Sequence, residues 1–146
     1  MHGPEPEISS YIDHTLLKPA SRFAEIDQLC REAVQYEFAA VCVPPYTVKQ
    51  AAGQVKGTGI KTATVIGFPM GYSSISSKLD EIRRAMEEGA DELDVVINLI
   101  ALKNGQGDYL EKERLELVKA IHQKGRIIKV IVESGLLTTD EIIRCC

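Results

Sequence analysis

Short apolar runs alternate along the chain with stretches whose apolar residues recur every three or four positions. The runs predict strands: Phe38–Val43 (FAAVCV), Lys61–Ile66 (KTATVI), Leu93–Ile97 (LDVVI) and Ile127–Val132 (IIKVIV). Pro44-Pro45 ends the first, because proline cannot continue a buried ladder. The third and fourth are nearly continuous in apolar character, the pattern of strands buried on both faces of a parallel sheet.

The stretches between them predict helices. Ile75, Leu79, Ile82 and Met86 share one helical face, with serines before them as caps and Gly89 after them as a stop. Leu110, Leu115, Leu117, Val118 and Ile121 mark a second helix, stopped near Gly125. An earlier one runs from about Phe23 to Tyr36 on Ile26, Leu29, Ala33 and Val34, and a weaker one from Tyr46 to Ala52. Near the end, Thr138 and Glu141 are spaced as a capping box. The helix they launch reaches Cys146 after about two turns, short of the roughly 11–12 residues of an average helix, so the sequence reads as truncated.

Strands alternating with helices imply right-handed βαβ units and a parallel sheet. An open, flavodoxin-like sheet and a β/α barrel both suit four such units. A complete eight-unit barrel takes about 250 residues, so a barrel built from 146 is incomplete. The chain reads as a single domain over residues 1–146, with residues 1–7 flexible.

Composition narrows the function classes. The net charge of −4, with no basic stripe, gives no footprint for nucleic acid or an acidic membrane surface. No apolar stretch approaches the roughly 20 residues of a membrane span, and the N-terminus lacks a signal-peptide pattern, which points to the cytoplasm. The four cysteines show neither zinc spacing nor a disulfide framework.

Chemistry concentrates on two strands. Asp94 interrupts an otherwise apolar run, and a carboxylate there requires a partner. Strand alternation puts Glu92, Asp94, Val96 and Asn98 on one face. Lys129 interrupts the last strand in the same way. It is either a lysine whose pKa is depressed for nucleophilic or proton-shuttling work, or the ion-pair partner of a carboxylate such as Asp94. His14, between Asp13 and Thr15, has no second histidine at ligand spacing, and its polar cluster reads as the cap of a local turn. Gly57-Thr58-Gly59, Gly105-Gln106-Gly107 and the GFPMG segment read as turns and a strand-end loop rather than phosphate cradles.

Five ordered segments, YIDHTLLKP, AAVCVPP, TATVIGFPMG, GADELDVVIN and IKVIVESGLLT, resemble the first half of deoxyribose-phosphate aldolases, a match covering about residues 11–146. The resemblance implies a TIM-type (β/α) barrel, here about its first four strands and their helices. It also implies a class I aldolase, a lyase that cleaves 2-deoxy-D-ribose 5-phosphate to acetaldehyde and D-glyceraldehyde 3-phosphate through a lysine Schiff base, without cofactor. By position, Asp94 matches the family's proton-relaying aspartate. Asp13, Thr15, Cys42 and Lys129 match positions that line or support the substrate pocket. The family's Schiff-base lysine lies on the sixth strand, and neither Lys129 on the fourth nor Lys18, Lys61 or Lys103 matches it. The chain alone is therefore expected to be inactive, and to associate with a second copy or with a missing C-terminal half through its uncovered strand edges. The other readings are a non-catalytic half-barrel used in assembly or binding, and a flavodoxin-like ligand-binding domain.

Overall fold

The computed structural model describes residues 8–146, so the expectation for residues 1–7 falls outside it. Five strands are present among the described residues: β1 (Asp13–Thr15), β2 (Ala40–Val43), β3 (Lys61–Ile66), β4 (Glu92–Val96) and β5 (Ile127–Ile131). Between and after them lie α1 (Phe23–Gln35), α2 (Val48–Val55), α3 (Ile75–Glu88), α4 (Leu99–Lys103), α5 (Gly107–His122) and α6 (Thr139–Cys145). The strands stand in chain order, β1-β2-β3-β4-β5, and β1–β2, β2–β3 and β4–β5 pair in parallel. An open doubly wound sheet has a switch point in its order. This one has none, so the flavodoxin-like alternative falls and the sequential order of a partial barrel stands.

Three local expectations need correction. The Asp13–Thr15 cluster is a strand rather than a turn cap: it pairs with β2 in the register Asp13↔Ala40, His14↔Val41, Thr15↔Cys42. Three polar-flanked residues are too few to show a period of two. The strand count is accordingly five rather than four, and Lys129 lies on the fifth. β5 is also not buried on both faces; Ile127 and Val130 are 54% and 50% exposed, because β5 ends the strand order with one neighbour only.

Contacts divide the chain into two compact units, Met1–Thr64 with Ala85–Asp91, and Val65–Arg84 with Glu92–Cys146. In the first, every residue of β2 is buried, and α1 and α2 cover it with Ile26, Leu29, Cys30, Ala33, Val48, Ala51 and Val55. Thr64 is fully buried, and its hydroxyl donates to the Val43 carbonyl at 2.8 Å, so no polar group is stranded there. Glu25 closes the start of α1 by accepting from the Arg22 amide. Pro45–Thr47 forms a 3-10 turn, which displaces α2 toward Val55 relative to its expected span.

In the second unit Ile66, Ile82, Leu93, Val96 and Ile121 are fully buried, each contributing about 1.5–3 kcal/mol of apolar burial. The Ser74 hydroxyl accepts from the Ser77 amide and caps α3, as the serine run predicts. Thr138 and Glu141 form the expected capping box of α6. The five-residue α4 escaped the pattern, being too short to show a face; the Asn98 carboxamide oxygen caps it by accepting from the Ala101 amide at 3.1 Å. No helix among the described residues is long and apolar enough to cross a membrane.

Candidate active site

Asp94 and Lys129 are direct register partners across β4 and β5. Their side chains therefore leave the same face of the sheet, and Lys129 Nζ lies 3.1 Å from Asp94 Oδ1. Glu92, two residues before Asp94 and hence on the same face, places Oε2 3.0 Å from the same ammonium. The two carboxylates are about 15% exposed and Lys129 36%, so the cluster is shielded yet reachable from solvent. The distances are those of an ion pair, one of the two alternatives that the sequence leaves open for Lys129. Glu92 is the member that strand parity exposes but that was not singled out.

The remaining predicted site residues lie in the first unit. Thr15 and Cys42 are register partners on β1 and β2, and Asp13 is half-buried opposite Ala40. The Thr15 hydroxyl donates to the Asp13 carbonyl at 2.8 Å, and the Cys42 side chain is almost fully buried. His14 is committed to structure: its Nε2 lies 2.7 Å from Glu32 Oε2, and its ring packs on Phe38 with centroids 5.0 Å apart. Hydrogen bonds from Gln28 and His14 hold the Glu32 carboxyl below the usual range.

A second ion pair, in the interior of the second unit, was not anticipated. Lys78 is fully buried, and its Nζ donates to Glu113 Oε1 at 2.8 Å and to the Val96 carbonyl at 2.7 Å. Glu113 Oε2 accepts from the Asn98 amide at 3.1 Å. A signal existed: Lys78 lies four residues before Ile82 and Glu113 four before Leu117, both at apolar-face positions of their helices.

The GFPMG loop leaves β3 in a fixed shape. The Gly67 amide donates to Glu81 Oε2 at 2.8 Å, and the Gly71 amide to the Gly67 carbonyl at 2.7 Å. Gly71 adopts φ +71°, and a Cβ there would sit 1.9 Å from the Ile97 carbonyl oxygen. A cavity of about 590 Å³ lies elsewhere: its lining includes Val95, Ile97, Ile128, Val130 and Val132, the opposite parity of β4 and β5 from Asp94 and Lys129. Its lining is mainly aliphatic, and the acid–base cluster does not face it. Among the described residues no group of three or more His, Cys, Asp or Glu side chains is arranged to hold a metal ion.

The chain is similar to known proteins over most of its length. The family model described as DeoC/LacD family aldolase matches residues 8–142. The deoxyribose-phosphate aldolase of Thermococcus gammatolerans is 49% identical over 142 residues, a span covering 96% of this chain and 63% of that protein. The corresponding protein of Aciduliprofundum boonei is 45% identical over 140 residues, again 96% of this chain and 63% of the relative. A solved structure from Coccidioides immitis, described as a candidate deoxyribose-phosphate aldolase, superposes with a TM-score of 0.91 at 40% identity, covering 99% of this chain and 57% of its own. The tetrameric deoxyribose phosphate aldolase of Aeropyrum pernix gives 0.83 at 33% identity, over 92% of this chain and 56% of its own. The chain thus spans about 63% of the length of these curated relatives.

Proposed function

The chain belongs to the DeoC/LacD aldolase family, and from that premise we propose that it supplies the carboxylate side of a deoxyribose-phosphate aldolase site. The substrate is 2-deoxy-D-ribose 5-phosphate, cleaved in the cytoplasm through a lysine imine to acetaldehyde and D-glyceraldehyde 3-phosphate. Asp94 is the acid–base residue. It takes the proton released as the carbon–carbon bond breaks and returns one to the two-carbon fragment. Lys129 holds Asp94 in place and balances its charge, while Asp13, Thr15 and Cys42 line or support the substrate pocket. The observation that carries this reading is the 3.1 Å Asp94–Lys129 contact between register partners on adjacent strands.

The imine-forming lysine is not among these 146 residues. Of the strand-borne lysines, Lys61 opens β3 on the surface and Lys129 is held between two carboxylates. Borohydride reduction of the chain in acetaldehyde should therefore give no stoichiometric, site-selective labelling above the slow alkylation common to exposed lysines; stoichiometric labelling at Lys129 would overturn that assignment. The activity itself is tested by fusing the 146 residues to the remaining segment of the Thermococcus gammatolerans enzyme. The fusion should release acetaldehyde from the sugar phosphate, and Asp94→Asn should lower its rate at least about a hundredfold. A folded but inactive fusion, or one indifferent to Asp94→Asn, would sink the reading.

We also propose that the chain self-associates. Support comes from the exposed Ile127 and Val130 of the outermost strand β5 and from the tetrameric Aeropyrum pernix relative. Sedimentation velocity across a hundredfold concentration range should reveal assembly; a monomer throughout would contradict it.

A further inference from the structure

The buried Lys78–Glu113 pair poses a question that stability does not answer. A buried ion pair is a weak source of stability, since apolar residues of similar volume serve equally well or better. Its value must lie in what it specifies. Both partners spend hydrogen bonds on the same short piece of backbone: Lys78 Nζ takes the Val96 carbonyl and Glu113 Oε2 takes the Asn98 amide. Between those two residues, the Ile97 amide donates to the Ile131 carbonyl at 3.2 Å, and Gly71 leaves no room for a side chain against the Ile97 carbonyl. Asn98 then caps α4. Side chains from α3 and α5 and backbone from the β3 loop and β5 thus converge on three consecutive residues at the C-terminal end of β4.

That segment begins two residues beyond Asp94, on the same rigid strand. We propose that Lys78 and Glu113 are positioning residues: through the Val96 carbonyl and the Asn98 amide they fix the end of β4, and with it the height at which Asp94 meets Lys129. The proposal rests on reading Asp94 as the acid–base group, and it adds the device that aims it. A generic packing role would have been met by Met and Leu at the two positions. Met and Leu cannot deliver a donor to one backbone group and an acceptor to another two residues on; Lys78 and Glu113 do so, with both charges satisfied away from water.

The test uses the 146-residue chain and needs no activity. In Lys78→Met/Glu113→Leu the pair is replaced by apolar side chains of similar volume, and the fold, followed by circular dichroism, should persist. Two signals should nevertheless change: the Asn98 amide should exchange with solvent at least tenfold faster, and the Asp94 carboxyl carbon should titrate with a displaced midpoint in NMR. The Leu93 and Val95 amides, within the ladder, should keep their protection. Should the double variant fail to fold, Glu113→Gln decides. It keeps the volume and can still accept from Lys78, but it no longer presents a carboxylate oxygen to both partners, and the same two signals should move. A folded variant whose Asn98 exchange and Asp94 titration match the parent chain overturns the proposal. Because neither signal depends on catalysis, an inactive fusion enzyme would count against the aldolase reading and leave this result standing.

Discussion

Lys129 reaches back from β5 to two carboxylates of β4, lying 3.1 Å from Asp94 and 3.0 Å from Glu92. The arrangement is asymmetric, because the two acids share one cation. Removing the cation leaves two like charges on one face of one strand, whereas removing Glu92 leaves an intact pair. Lys129→Met should therefore cost about 1–2 kcal/mol, between the values for exposed and fully buried pairs. Glu92→Gln should cost less than half of that. Urea unfolding of the two variants measures the difference, and equal losses would contradict the shared-cation geometry.

Gly71 and Gly57 separate backbone freedom from space. Both have positive φ, +71° and +82°, so alanine at either carries the left-handed penalty of about 1–2 kcal/mol. At Gly57 a Cβ meets nothing within 4 Å, but at Gly71 it would lie 1.9 Å from the Ile97 carbonyl oxygen. Gly57→Ala should show the backbone penalty alone, and Gly71→Ala should exceed about 3 kcal/mol because backbone must move as well. Matched thermal melts decide this.

The sequence was most legible where period and chemistry agreed. β3 and the start of α3 match their expected bounds, and the Thr138–Glu141 box is present, because these signals are local. β1 and α4 were missed because three and five residues hold too little of a period, and pairing or capping alone reveals them. In the site, Asp94 and Lys129 stood out as charges inside apolar strands, but their contact depends on register, which no single strand encodes. Lys78 and Glu113 were readable in principle as charges on apolar helix faces. Their meeting across 35 positions of sequence is purely tertiary.

The same two residues give a stability prediction. Lys78→Met strands a buried carboxylate and should cost about 3–5 kcal/mol, while Lys78→Met/Glu113→Leu removes both charges and should recover most of it, ending within about 1–2 kcal/mol of the parent. Chemical denaturation of the parent, single and double variants gives the coupling directly. A double variant as damaged as the single one would mean that packing, not charge, dominates the position.

The cysteines should differ sharply in reactivity. Burial, with a smaller effect from Asp27, pushes the Cys30 thiol up to about 11, so almost no thiolate exists at neutral pH. Cys145 is also raised, chiefly by burial, whereas Cys146 is exposed. Iodoacetamide at pH 7.5 should modify Cys146 first and leave Cys30 untouched until the protein unfolds. Mass spectrometry of partially alkylated native protein reads the order, and early labelling of Cys30 would contradict the packing of α1.

Acid should loosen α6 before the core. Glu141 accepts from Lys103 Nζ at 2.7 Å and from the Thr138 amide at 2.8 Å; the lysine contact is the larger cause, and together they hold its carboxyl below the ordinary 4.5. A carboxyl depressed in the folded state binds its proton more readily once unfolded. Its contribution is therefore complete above about pH 4.5 and is lost as the pH falls through the lower folded value. Two substitutions separate the parts. Thr138→Ala removes the hydroxyl cap at every pH, costing about 1 kcal/mol, and leaves the acid sensitivity in place through Lys103. Lys103→Met spares the cap but removes the main cause of the depressed carboxyl, so the loss on acidification should shrink. Amide exchange of Ile142 and Ile143 between pH 6 and 3 reports α6 directly. Identical pH profiles in the parent chain and Lys103→Met would show that the lysine does not anchor this helix.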